Sequence, residues 1–511
     1  MAVELSPASV TARRRWTVAV ASLSAALMTL DVTIVNVALP QIEGGLGAGL
    51  DGLQWIVNAY TLAFAALLLS VGSLSDRVGR RRIFALGVAV FTGASLGCAL
   101  APGTATLVVA RTVQGVGGAL VMGTGLALIA AAYAGTEARA RNTAIGLFAA
   151  GGAAAAALGP LVGGLVVDAW GWRYIFVLNL PLGLAILLAT WLRLTESKAE
   201  NGRHRLDLAG LVLAAAMLFG LNYALLTGPL DGWSSTPVVA ALVAAGALTA
   251  AFLFVQWRRG EAAMLDLRLF RIRSFTGAIL VTYAARLVSF GLLPFLVLWL
   301  SGMLGYGPFQ IGLRLLLLSI TMIVVAPLSG ALTRRVPVHV LMALGMALTG
   351  AGALAMTTIE PGDGWTAAAP GLLLLGAGAG LAAPHLLGVA VGVVPPERAG
   401  MASGAANTFF PLGTASGVAL YGAVLAHQVD RHLTDAGSAL EPAAAERVRA
   451  LVTSGRFDAL AALPGPVRQA AEAGFTSGLS AMLTIAGVAA LLAALASLLL
   501  IRGADQHQAS G

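Results

Sequence analysis

"GSLSDRVGRRRIF" fills residues 72–84 and lies between two apolar runs, 54–74 and 83–101. It sets Arg77, Arg80, Arg81 and Arg82 around one acid, Asp76, and two glycines, Gly72 and Gly79. A related string, "GALTRRVPVHVLM", recurs at 330–342: Gly72 aligns with Gly330, Leu74 with Leu332, Arg77 with Arg335 and Val78 with Val336. Each string leaves one apolar run and enters the next. Two such turns predict two helical halves related by a parallel internal repeat.

The runs on either side extend over the whole chain. Its 511 residues are 58% hydrophobic and 11% charged, with mean hydropathy +0.87, whereas a soluble domain carries roughly 25% charge. Runs of about 20 apolar residues, enough to cross a bilayer, fall near 16–39, 54–74, 83–101, 106–133, 143–167, 173–192, 207–227, 238–257, 274–299, 309–333, 338–357, 367–393, 399–425 and 477–501. The fold expected is an all-α integral membrane protein with fourteen transmembrane helices. The first run is too long for a cleaved signal peptide and no small-residue cleavage site follows it, so it should be retained as a helix. The expected units are a six-helix bundle over 1–192, two inserted helices with flanking loops over 193–273, and a second six-helix bundle over 274–511 that includes a long external loop at 426–476.

The net charge of +8 is almost entirely arginine; Lys198 is the only lysine. The arginines gather in alternate short loops, such as 13–15, 77–82 and 258–273. That asymmetry fits membrane topology rather than nucleic-acid binding, and it places both termini in the cytoplasm. The single cysteine, Cys98, makes no intrachain disulfide.

Several chemistries lack their residues. No Gly-Lys-Ser/Thr string exists to cradle a phosphate. Of the six histidines only His385 lies in the middle of a run, and no His/Cys/Glu cluster has metal-ligand spacing. No enzyme activity, catalytic residue, metal or cofactor is expected, so uphill transport would draw on an ion gradient.

One charge stands out in "LMTLDVTIVNVALPQI" (27–42): Asp31, the carboxylate deepest in any run. Arg111 in the fourth run lies at a similar depth, roughly 10–13 Å from the same face by the helical rise. An unpaired charge there is costly, so the two should pair or face water. Gln54, Asn58 and Thr61 form a stripe at i, i+4 and i+7 that can face a cavity. Tyr283 and Arg286 in the ninth run, Arg314 in the tenth and His385 in the twelfth either touch substrate or bond a carbonyl.

Five strings stand in order: "LDVTIVNVALP" (30–40), the 72–84 turn, "LVVARTVQGVGGA" (107–119), "LGPLVGGL" (158–165) and "WGWRYIFVLNLPLG" (170–183). Together they resemble the major facilitator superfamily, and within it the fourteen-helix drug:proton antiporter family of the QacA/EmrB type. The resemblance implies a monomer in the cytoplasmic membrane that exports drug-like or natural-product molecules in exchange for protons by alternating access. If a carboxylate carries that proton, Asp31 is the candidate, with Arg111 as its partner, the alternative being a static buried ion pair or a cap on a broken helix. The resemblance assigns Gly72, Asp76, Arg77, Gly79, Arg80 and Arg81 to a cytoplasmic gate, with Asp76 expected to accept from backbone donors at a helix N-terminus. It makes Gly159, Pro160, Gly163 and Gly164 the antiporter motif, a pliable seal kinked at Pro160. Protons, membrane lipid and the exported molecule are the partners implied, with no nucleic acid. A dedicated exporter of one metabolite or self-made antibiotic, and a nutrient-uptake symporter, are the alternatives. The second half departs from the pattern: Arg334 stands in the place of Asp76, Pro337 in that of Gly79, and "NTFFPLGTASGVAL" (407–420) has no Arg-Gln pair.

Overall fold

A computed structural model describes residues 7–48, 50–134, 138–198, 207–260, 263, 265–394, 399–435, 442–453, 457–460 and 463–505. Among them there is no strand, as expected where lipid leaves backbone groups only intrahelical partners. The helices are α1 (Pro7–Leu46), α2 (Leu50–Val78), α3 (Arg80–Ala99), α4 (Thr104–Ala132), α5 (Ala138–Trp170), α6 (Tyr174–Val177), α7 (Asn179–Arg193), α8 (Leu208–Asp231) and α9 (Thr236–Arg259). They continue with α10 (Arg273–Leu298), α11 (Pro308–Leu332), α12 (Val338–Ala355), α13 (Ala369–Gly392), α14 (Ala399–Asp435), α15 (Pro442–Thr453), α16 (Phe457–Leu460) and α17 (Gly465–Leu500). Among the described residues twelve spans are long and apolar enough to cross a membrane, α6 and α7 counting together as one, and there are 14 when each of two bent helices counts as one span. The bent helices are α2, by 51° between Trp55–Leu68 and Ser70–Val78, and α5, by 46° between Thr143–Ala156 and Leu161–Trp170. The bend in α5 falls where Pro160 removes a backbone donor, as its sequence predicts.

The pairing of helices repeats. In the first half α1 packs on α5, α2 and α3 pack on α4, and α7 packs on α3. In the second half α10 packs on α14, α11 and α12 pack on α13, and α17 packs on α12. Thus α10 holds the place in the second half that α1 holds in the first. The inserted helices α8 and α9 pair with each other, and α8 lies against both α2 and α14. Trp55 and Tyr223 meet at 6.1 Å between ring centroids, and the Ser70 hydroxyl donates to the Leu211 carbonyl at 3.5 Å. Across the seam between halves, α5 meets α11 and α2 meets α14.

Small residues set how closely these helices approach. A Cβ at Gly117 would stand 2.5 Å from the Phe91 amide nitrogen, and one at Gly118 would stand 2.7 Å from the Tyr60 hydroxyl. The glycines after Arg111 therefore let α4 lie backbone-close to α2 and α3, the packing used where lipid provides no hydrophobic drive between helices.

Two expectations about boundaries change. α1 has 40 residues, about 60 Å at 1.5 Å per residue, and overruns the 16–39 stretch at both ends. The external "loop" 426–476 is largely helical: α14 runs on to Asp435, α17 begins at Gly465, and α15 lies between them. Its apolar residues explain the correction. Leu433, Val448, Val452, Leu460 and Phe475 are buried together in the core of the second half, with α15 packed against α14 and α17.

Candidate transport site

Asp31 and Arg111 meet as expected: Arg111 Nη1 donates to Asp31 Oδ2 at 2.6 Å, and each side chain is only 1% exposed. The pair sits in a larger polar core. Gln114, one helical turn after Arg111, donates through Nε2 to Asp31 Oδ1 at 2.9 Å and to the Ser95 hydroxyl at 2.9 Å. Asn179, at the start of α7, donates to Asp31 Oδ1 at 2.7 Å and to Ser95 at 3.3 Å. Arg111 also donates to Gln114 Oε1 at 2.7 Å and to the Ile56 carbonyl at 3.2 Å, and stacks on Tyr60 with its Cζ 4.4 Å from the ring centroid. The Cys98 thiol donates to Gln114 Oε1 at 3.7 Å.

Five spans therefore converge on one carboxylate, which accepts from three donors. Burying both charges costs several kcal/mol per ion, and only such saturation of their hydrogen bonds offsets it. Gln114, Asn179, Ser95 and Tyr60 were not among the residues singled out from the sequence. The spacing Arg111-x-x-Gln114 was a legible sign, since i and i+3 share a helix face. Asn179 stands within the string quoted at 170–183, but nothing near it in sequence names Asp31 as its partner.

The basic turn is held differently from its expected form. Asp76 Oδ1 accepts from Arg80 at 2.8 Å, as an i, i+4 pair. It does not cap the next helix. That role falls to Glu196, in the strand of chain after α7: its Oε1 accepts from the Arg81 backbone N–H at 3.1 Å, in the first turn of α3. Glu196 Oε2 also stands 3.7 Å from Arg82 Nε, and the Ser197 carbonyl accepts from the Arg80 N–H at 3.0 Å. Asp76 is engaged by the Arg80 side chain, so the anion that meets the helix dipole comes from elsewhere. Gly79 has φ +123, and a Cβ there would stand 2.7 Å from the Glu196 carboxylate; only glycine fits both the backbone and the space. Gly72 is buried and Arg77 half-buried in the same turn. Arg81 donates to the Trp191 carbonyl at 2.8 Å and stacks on its ring at 4.8 Å.

The glycines of 158–165 divide between two neighbours. Gly159 faces Thr33 of α1 with no room for a Cβ, and a Cβ on Gly163 would stand 3.3 Å from Ile34 Cα. Gly164 faces the other half: its Cβ would come 3.5 Å from the Phe309 amide nitrogen of α11. The bent end of α5 is thus wedged between α1 and α11. The side chain of Pro160 lies outside the described residues.

The remaining candidates do not gather into one cluster. Thr61 donates to its own helix, at the Val57 carbonyl, 3.3 Å away. Asn58 is half-buried, and the side chain of Gln54 lies outside the described residues. His385 Nε2 is 2.8 Å from the Ser329 hydroxyl, which also lies 2.8 Å from the Leu381 carbonyl, so the imidazole is held within its own half. Arg314 donates to the Gln310 carbonyl at 2.9 Å and lies 3.5 Å from the Tyr306 centroid, so it bonds its own helix. Arg286 stacks on Phe410 at 3.5 Å and on Phe290 at 4.7 Å, with Tyr283 one turn before it, and its Nε is buried without an acceptor. An arginine in mid-membrane costs about 2.5–3.5 kcal/mol on insertion scales, and a cation–π contact returns roughly 0.5–2 kcal/mol.

Three comparisons bear on this geometry. The profile of the Major Facilitator Superfamily matches residues 21–418. The chain is 38% identical over 400 residues to the multidrug resistance protein Stp of Mycobacterium tuberculosis, covering 78% of this chain and 74% of that protein. It is 32% identical over 506 residues to the tetracenomycin C resistance and export protein of Streptomyces glaucescens, covering 96% of this chain and 93% of that one. Among solved structures, the proton:xylose symporter XylE superposes with a TM-score of 0.64 over 96% of each chain at 15% identity, a likeness of fold.

Proposed function

Because the chain belongs to the major facilitator superfamily, we propose that it exports drug-like or natural-product molecules from the cell by proton antiport. It is a multi-pass cell-membrane protein, and superfamily members are transporters rather than enzymes. In this reading the arginine-rich ends of the helices face the cytoplasm, the protein works as a monomer, and residues 1–192 and 274–511 are the two halves that rock about the seam, with 193–273 inserted between them.

The observation that carries the reading is the buried Asp31–Arg111 pair with its Gln114 and Asn179 donors. A proton arriving at Asp31 removes the charge that holds Arg111, so the bonds joining α1 to α4 and α7 weaken together. Loading a proton is in that way tied to relative movement of helices in the first half, as alternating access requires. The turn carrying Asp76, Arg80 and Arg81 then acts as the cytoplasmic latch. The bent end of α5, with Gly159, Gly163 and Gly164 against α1 and α11, acts as the seal that must slide when the halves move.

A second reading keeps the mechanism and narrows the cargo to one self-made or host metabolite. The likeness along nearly the whole chain to a protein named for resistance to a single antibiotic favours it. A susceptibility panel in an exporter-deficient host tests both. Expression of the wild-type chain should raise resistance to several unrelated compounds under the first reading and to one chemical group under the second. Asp31→Asn should abolish the gain under either. Resistance retained at wild-type level by Asp31→Asn would overturn coupling through this pair, and no gain for any compound would overturn drug export.

A further inference from the structure

Arg286 lies 13 residues into α10, about 20 Å along the helix at 1.5 Å per residue. It is therefore deep in a span that crosses the membrane. Among the described residues it has no hydrogen-bond acceptor and no carboxylate partner. Its Nε is buried without an acceptor. Of the other two arginines in the interior of the apolar runs, Arg111 is engaged by Asp31, Gln114 and the Ile56 carbonyl, while Arg314 donates through Nη1 to the Gln310 carbonyl and keeps a buried Nε without an acceptor. The carboxylate that lies deep in the membrane, Asp31, is itself saturated by Arg111, Gln114 and Asn179.

The surroundings of Arg286 are aromatic. Phe410 and Phe290 have centroids 5.7 Å apart, at 3.5 and 4.7 Å from Arg286 Cζ. Those distances make a corner rather than a sandwich, so the guanidinium is not enclosed from opposite faces. Phe410 belongs to α14, the helix of the second half that meets α2, α4 and α8 across the seam. Arg286 is therefore packed against a helix that reaches the seam, and its side chain is half-buried. Gly413 brings α14 close enough for this: a Cβ there would stand 3.0 Å from Arg286 Cβ and 2.6 Å from the Tyr283 carbonyl.

We propose that Arg286, Phe290 and Phe410 form the subsite that receives the acidic edge of an exported aromatic compound, a carboxylate or phenolate carried on a planar ring system. The guanidinium supplies planar paired donors that match a carboxylate. The two rings supply faces on which the aromatic frame stacks. The low dielectric strengthens this cation's attraction for anions and its repulsion of cations. The proposal rests on the export reading above and names the ligand class of one wall of the same path.

Three dyes on one xanthene frame separate the possibilities: anionic fluorescein, zwitterionic rhodamine B and cationic rhodamine 6G. Binding to the purified full-length protein in nanodiscs is read by fluorescence anisotropy. Fluorescein should bind at least about tenfold more tightly than rhodamine 6G, with rhodamine B between them. Arg286→Ala should remove most of that preference by weakening fluorescein, and Arg286→Lys should restore part of it, since lysine keeps the charge and loses the planar fork. Arg286→Ala should melt no lower than wild type, because it deletes an unpartnered buried cation; that readout separates ligand recognition from a packing role. Preference for rhodamine 6G, a fluorescein preference untouched by Arg286→Ala, or no binding of any of the three would overturn the anionic subsite. The resistance panel, which does not depend on these dyes, would then still decide whether the protein exports drugs.

Discussion

Arg111 and Arg286 are both arginines in the interior of membrane-spanning helices, and the two halves treat them in opposite ways. In the first half the cation has a carboxylate at 2.6 Å, a side-chain amide, a backbone carbonyl and a tyrosine ring. In the second half it has two phenylalanine rings and no acceptor for Nε. Arg286 lies on α10, which takes in the second half the position that α1, the helix of Asp31, has in the first. The duplicated scaffold has thus been filled with complementary chemistry: an internally neutralised core on one side, and a cation left open for something that is not part of the chain on the other. In a closed network, loss of one charge is felt by every partner at once, whereas an open cation must be satisfied from outside.

The largest effect expected from breaking the first-half network is on energy coupling. Asp31→Asn keeps the shape and loses the charge, so proteoliposomes with an imposed pH gradient should show accumulation of substrate falling to the level of protein-free vesicles, while exchange down a substrate gradient persists. Accumulation at the wild-type rate would remove Asp31 from the mechanism and erase the contrast between the halves.

Stability offers the sharper test of the difference. Arg111→Leu leaves Asp31 buried without its counter-charge and should cost about 3–5 kcal/mol, the usual penalty for breaking a buried pair. Arg286→Leu strands no partner and should cost nothing or stabilise. Melting curves of the two purified variants side by side decide it, and equal losses would mean that Arg286 has a structural partner after all.

A smaller loss is expected at Asn179→Ala. Asp31 Oδ1 keeps its bond from Gln114, so the cost should be about 1–3 kcal/mol, that of one unsatisfied buried polar atom. A cost as large as that of Arg111→Leu would show that the amide, rather than the ion pair, holds the five spans together.

The smallest effect lies at the gate. Glu196→Gln keeps the acceptor for the Arg81 N–H and removes the charge at the start of α3, a dipole interaction of about 0.3–1 kcal/mol. Turnover should fall only a few-fold, with equilibrium substrate binding unchanged, as measured by transport rate against ligand titration. A loss of binding instead would place Glu196 in the substrate path, far from where the fold puts it.

Much of this was legible in the sequence. The fourteen runs, the repeat of the 72–84 turn at 330–342, the bend at Pro160 and the meeting of Asp31 with Arg111 each follow from a local signal: hydropathy over a bilayer's length, a shared string, a ring without an N–H, and the cost of an isolated charge. The helical structure within 426–476 was missed because its charged and alanine-rich stretches carry no span-length hydropathy, although their apolar residues pack into the core of the second half.

What the tertiary structure alone decided are the partners. Asn179 lies 148 residues from Asp31, and Glu196 lies 115 residues from the Arg81 N–H it accepts from; no periodicity within one helix encodes either contact. The same holds for Arg314 and Arg286, which look alike in sequence as single arginines in apolar runs. One is turned onto its own helix and the other onto Phe290 and Phe410. Sequence fixes the cost of putting a charge in the membrane, because that depends on the residue and its depth. Whether the cost is met inside the chain or left for a ligand depends on which side chains the packing brings within about 3 Å, and that is a property of the fold.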